Sequence, residues 1–159
     1  MKVIDFYVNN FRSLSSVKLE GLGGLNVIVG YNGYGKTNLL TALYLFIKNM
    51  GSGLDKRSVE DREGEYMLLW KDYDVSKPIT IGGVIEFNEE ETAKAIGKPM
   101  RMRIEVTNKI KYNNKYVEWS LDTLNINNSP PTSENLESVR SLFSFASQAV
   151  EYVPIFDQM

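Results

Sequence analysis

The sequence predicts a mixed α/β fold, with a strand–loop–helix unit joined to an antiparallel β-subdomain. Three observations predict it. Residues 25–50 pass from an apolar strand pattern through a glycine-rich loop into a helix pattern. Residues 101–122 alternate apolar and polar side chains around a central turn, the mark of an antiparallel hairpin. No apolar strand follows the first helix promptly enough to complete a parallel βαβ unit, which argues against an all-parallel sheet. At 159 residues and 43% hydrophobic the chain can bury one sizeable core. It is therefore read as a single lobe over 1–159. Its parts are a core at 1–50, an irregular insert at 51–78, the β-subdomain at 79–128, and a helix with a last strand at 132–159.

Residues 3–11 are β-branched and aromatic and read as a strand. Residues 17–22 alternate and read as a second, with 12–16 as the turn between them. Gly21, Gly23 and Gly24 punctuate before a third strand at 25–29, nearly all apolar, as suits burial on both faces. From Lys36 to Met50 the apolar positions 39, 40, 43, 44, 46, 47 and 50 follow helical spacing, and Gly51-Ser52-Gly53 ends the helix. In the charged stretch that follows, Ser58 with Asp61 reads as a helix start, and 66–70 is an apolar island suited to a short helix or a loop plug.

Residues 79–87 read as a strand with Ile79, Ile81, Ile85 and Phe87 on one face. Residues 88–96 suggest a short helix with acids in its first turn, ended by Gly97 and Pro99. In the hairpin the apolar parity flips past Asn113-Asn114, so the turn is placed on that pair. This sets Ile110 opposite Val117, Val106 opposite Leu121, and Lys109 across from Glu118. After Ser129-Pro130-Pro131, Ser133 precedes a helix with Leu136, Val139, Leu142, Phe143 and Ala146 on one face. Residues 150–156 read as a final strand.

Composition narrows the chemistry. There is no Cys and no His, which excludes disulfides, thiol catalysis, His triads and ordinary zinc sites. A net charge of −2 argues against a general polycation, so nucleic-acid contact would need a local patch. Arg101, Arg103, Lys109, Lys111 and Lys115 form one candidate patch; a solvated sheet face interrupted by Glu105 and Glu118 is the plainer alternative. The sequence shows neither a signal peptide nor a membrane-length apolar run, so a soluble cytoplasmic protein with no membrane partner is expected.

The residues Gly30-Tyr31-Asn32-Gly33-Tyr34-Gly35-Lys36-Thr37 match G-x-x-x-x-G-K-[ST] in the required strand-to-helix context. A triphosphate is a dense anion, and a loop wraps it only if backbone N–H groups point inward with no side chain blocking the approach. Gly30, Gly33 and Gly35 permit this, and the first turn of the helix adds N–H groups and the positive dipole end. Lys36 can reach the β- and γ-phosphates, and the Thr37 hydroxyl can ligate Mg²⁺. Asn32, Tyr34 and Asn38 are further contacts to the cofactor, ATP; Tyr31 and Tyr34 could stack on a base.

Two stretches carry a resemblance. Residues 6–14, Phe-Tyr-Val-Asn-Asn-Phe-Arg-Ser-Leu, and residues 25–40 are similar to the opening of ABC-type P-loop ATPases of the SMC/RecF/RecN and OLD group. The detailed similarity covers about the first 50 residues. It implies the first lobe of such an ATPase, a P-loop NTPase half bearing an antiparallel β-subdomain. It implies that Arg12 contacts phosphate or ribose. It also implies that the strand and loop at 150–158 hold Mg²⁺ and the attacking water through Gln158. A rival reading makes 153–157 a Walker B strand with Asp157 near Mg²⁺, although Pro154 is unsuited to a central strand. A plain tail is the third reading.

In that family the second lobe supplies the signature motif, the Walker B pair and a switch His, all missing from this sequence. The resemblance thus implies an ATP-binding lobe incomplete for hydrolysis alone, one expected to bind ATP weakly or not at all on its own. A C-terminal lobe or a partner chain would complete it, and it would form an ATP-dependent homodimer when complete. Such proteins mostly serve DNA repair, recombination or defence, with DNA as a candidate partner. The alternatives are another P-loop NTPase or kinase, for which no phosphate-acceptor site is evident, and a binding module switched by nucleotide.

Overall fold

A computed structural model of the chain describes residues 1–24, 26, 29, 30 and 35–149. Its strands are β1 (Lys2–Phe11), β2 (Leu14–Leu19), β3 (Ser58–Glu60), β4 (Ile79–Phe87), β5 (Met102–Asn113) and β6 (Tyr116–Ile126). Its helices are α1 (Lys36–Asn49), α2 (Glu89–Ile96) and α3 (Ser133–Ala149), with 3-10 turns at Glu65–Leu69 and Lys71–Tyr73. The strands form one six-stranded sheet in the order β2-β1-β4-β5-β6-β3, and every pairing is antiparallel. The fold is therefore mixed α/β. The β1–β2 hairpin of the first 50 residues shares its sheet with the strands of 79–128, because β1 lies against β4, with Val8 opposite Ile81.

The alternating pattern of β4 and β5 makes one face of this sheet apolar. Phe6, Val8, Ile81, Ile85, Ile104 and Val106 are fully buried there, in one core with Ala42 and Phe46 of α1 and Val139 and Leu142 of α3. The Phe6 and Phe46 rings meet with centroids 5.6 Å apart. The other face is polar, and there Tyr7 Oη and Thr107 Oγ1 lie 2.6 Å apart. Burial raises the Tyr7 phenol above its ordinary pKa, and the Thr107 hydrogen bond opposes that rise. The local signals of α2 hold. Asn88 accepts from Glu91 N, the Glu91 carboxylate accepts from Asn88 N, and Gly97 closes the helix at φ 74°.

Several expectations are corrected. The second strand starts at Leu14 rather than 17, and the turn is only Arg12-Ser13. Arg12 adopts φ 49°, which tightens the chain enough to pair Phe11 with Leu14 and bury the Leu14 side chain. Ser58 starts no helix. Residues 58–60 pair with 116–118 as a strand, and the Asp61 carboxylate accepts from Tyr112 Oη at 2.9 Å and from Tyr66 N of the 3-10 turn at 3.3 Å. The hairpin turn falls on Asn114-Lys115, at φ 47° and 67°, the left-handed pair a two-residue turn requires. Moving the turn by one residue pairs Tyr112 with Val117 and Ile110 with Trp119, and a bulge after Thr107 then sets Val106 opposite Leu124. Between the turn and the bulge the shift is two and the faces survive; past the bulge it is three, and the buried positions of β6 change from Val117 to Leu124 and Ile126.

The strand expected at 25–29 is not found at its described positions. Asn26 and Val29 lie outside the sheet, and Val29 is 88% exposed. Among the described residues there is no parallel pairing. Leu25, Val27 and Ile28 lie outside the described residues, as does the strand expected at 150–156.

The apolar island at 66–70 is a plug. Trp70 is buried, bridges to Phe11, meets Tyr112 edge-on at 5.7 Å, and donates Nε1 to the Lys77 carbonyl at 2.8 Å. It fixes the 3-10 segment against the end of β1.

Candidate functional site

The site begins at the end of the glycine loop. Gly35 adopts φ 90°, a conformation costly for any residue with a Cβ. Space there is also short. A Cβ on Gly35 would stand 3.1 Å from Leu14 Cδ2 and 3.2 Å from Ser13 Oγ. The backbone at Gly35 therefore sits tightly against the β1–β2 turn where it enters α1 at Lys36. Gly35 brings no side chain to cap the helix, and the first turn of α1 carries no acid. The N–H groups and positive dipole end of α1 are thus kept clear of competing carboxylates.

Lys36 folds back over the loop and donates Nζ to the Gly30 carbonyl oxygen at 2.5 Å. Gly30, Gly35 and Lys36 are therefore brought together, as the motif predicts. Thr37 follows Lys36 as the second residue of α1. Asn32, Gly33 and Tyr34, with Tyr31, lie outside the described residues, as do Asp157 and Gln158.

Arg12 and Asn38 meet, although 26 positions separate them: Arg12 Nη1 donates to Asn38 Oδ1 at 3.4 Å. The Asn38 amide donates in turn to Ser13 Oγ at 2.7 Å. The Arg12 guanidinium lies 5.4 Å from the centre of the Phe11 ring, and its backbone N–H donates to the Leu69 carbonyl at 2.8 Å. Arg12 is thus held by α1 on one side and by the Trp70-anchored segment on the other. Beside it opens a cleft of about 740 Å³, lined by Arg12, Thr41, Tyr44, Tyr66 and Leu68, with acids of 60–65 on its rim. Sequence reasoning missed Ser13, Leu69 and this cleft; only the apolar island at 66–70 signalled them.

The arrangement suits a polyanion. A helix N-terminus without a side-chain cap, a left-handed glycine and a lysine aimed across the loop supply hydrogen-bond donors and positive charge together. Among the described residues no group of three or more acidic side chains could cage a metal ion. Mg²⁺ does not require such a cage, since it takes one or two oxygen ligands from protein and completes its shell with water and phosphate. Two of the five basic residues of the candidate hairpin patch are ion-paired, Lys109 with Asp122 at 3.3 Å and Arg103 with Glu86 at 3.3 Å.

Comparison with known proteins places these features in context. The family model described as AAA ATPase domain matches residues 1–148. The DNA replication and repair protein RecF of Glaesserella parasuis serovar 5 is 32% identical over 84 residues, 52% of this chain and 23% of that protein. RecF of Halothermothrix orenii is 41% identical over 70 residues, 44% of this chain and 17% of its own length. RecF of Mannheimia succiniciproducens is 50% identical over 44 residues, 28% and 12%. The chain thus spans less than a quarter of these relatives. A solved structure from work on ATP-driven dimerization and DNA stimulated activation of SMC ATPases aligns at a TM-score of 0.48 with 16% identity, over 92% of this chain and 80% of that one.

Proposed function

Because the chain belongs to the AAA ATPase domain family, we propose that it is the ATP-binding N-terminal lobe of an SMC/RecF-like ATPase serving DNA repair, recombination or defence. The observation that carries this reading is the Lys36 ammonium over the glycine loop at the uncapped start of α1. Lys36 holds the β- and γ-phosphates, and the α1 N-terminus binds the same anion through backbone N–H groups. Gly30, Gly33 and Gly35 let the backbone close on it, with Asn32 and Tyr34 in the same loop. Arg12 reaches phosphate or ribose from the β1–β2 turn. Thr37 would hold Mg²⁺, with Gln158 or Asp157 as the second candidate ligand. When bound, the ion neutralises charge on the phosphate oxygens.

The lobe is incomplete for hydrolysis. Hydrolysis needs a positioned water and stabilisation of the transition-state charge, and the sequence has no His and no signature motif with which to build them. Val29 at 88% exposure and Leu40 at 42% leave apolar surface around the loop that a second lobe would cover. A C-terminal lobe or partner chain completes the site, and two complete units dimerise around ATP. The RecF relatives support DNA as the partner of the complete protein. Turnover measured with and without DNA tests this. The chain alone should hydrolyse ATP negligibly under both conditions, and turnover at the rate of an ordinary ATPase would refute the incomplete-lobe reading.

A further inference from the structure

We infer that Asn38 is a positioning residue that acts on the nucleotide through Arg12, not a direct contact. The inference rests on the nucleotide-binding reading above. An asparagine side chain has one carbonyl oxygen and one amide nitrogen. Here the oxygen accepts from Arg12 Nη1 at 3.4 Å, and the nitrogen donates to Ser13 Oγ at 2.7 Å. The oxygen and one N–H of the amide are thus committed to the β1–β2 turn, which leaves a single N–H for any other partner.

The turn needs such a hold. Arg12 sits at φ 49°, strained for a residue with a long side chain. A free arginine side chain also samples many rotamers, and ordering it costs conformational entropy. Tying the guanidinium to the first turn of α1 places this charge in register with Lys36, two residues before Asn38. Ser13 completes the clamp by fixing the orientation of the amide. The Gly35 backbone lies directly above, where a Cβ would meet Ser13 Oγ at 3.2 Å. Turn, loop and helix are therefore joined at one point.

The test is a set of mutant cycles read by equilibrium binding of a fluorescent ATP analogue to the full chain with Mg²⁺. Asn38→Ala and Ser13→Ala should each weaken binding about three- to tenfold, the range for losing one hydrogen bond. In an Arg12→Ala background neither substitution should weaken it further. A structural loosening of α1 would persist without Arg12, so additive losses, or no loss from Asn38→Ala, would overturn this role and leave nucleotide binding standing. If the wild-type chain does not bind the analogue, the nucleotide reading fails, and this role fails with it.

Discussion

Lys36 and Gly30 form a closed contact across the glycine loop, the lysine ammonium donating to the carbonyl oxygen six residues before it at 2.5 Å. The acceptor here is neutral. In the proposed site a phosphate oxygen, ionised like the ammonium, would be the stronger partner for Lys36.

Gly35→Ala should damage both fold and binding. The left-handed backbone costs about 1–2 kcal/mol for a residue with a Cβ, and Leu14 and Ser13 must also yield to the new methyl group. Urea denaturation should show a loss of that order, and ATP affinity should fall with it.

Trp70→Ala should cost about 3–5 kcal/mol, as for other buried aromatic truncations. The indole anchors the segment whose Leu69 carbonyl accepts from Arg12 N. Thermal melting checks the stability loss. Where the variant stays folded, hydrogen exchange at the Arg12 amide should speed up.

Alkaline pH should destabilise the chain through Tyr7. Its folded-state pKa is raised by burial, so the unfolded phenol ionises first. Stability is fully present below the ordinary phenol pKa of about 10 and is lost as pH rises through the folded value. Tyr7→Phe should flatten this alkaline fall in urea titrations, while costing about 1 kcal/mol at neutral pH for the lost hydrogen bond to Thr107.

Features set by neighbours in sequence were legible. The start of α1 behind Gly35, and α2 with Asn88 and Gly97 at its ends, each follow from a few adjacent residues. The hairpin was legible to within one turn residue; either Asn113 or Asn114 could open the turn, and only the pairing of Tyr112 with Val117 decides between them. Features set by distant contacts were not legible. Residues 58–60 become a strand because 116–118 offer an edge, and Trp70 becomes a plug because Phe11 and Tyr112 surround it. In the site, the pattern identified Lys36 and Gly35. The Arg12–Asn38–Ser13 clamp joins positions about 25 residues apart by side-chain hydrogen bonds, which leave no periodic trace.

The most direct measurement of the central claim is equilibrium binding of ATP with Mg²⁺ to the wild-type chain and to Lys36→Ala, by calorimetry or by a fluorescent analogue. The account predicts weak but saturable binding to the wild type and binding at least about tenfold weaker in the variant, the loss expected for one charge-assisted hydrogen bond. Equal affinities, or no binding to the wild type, would contradict it.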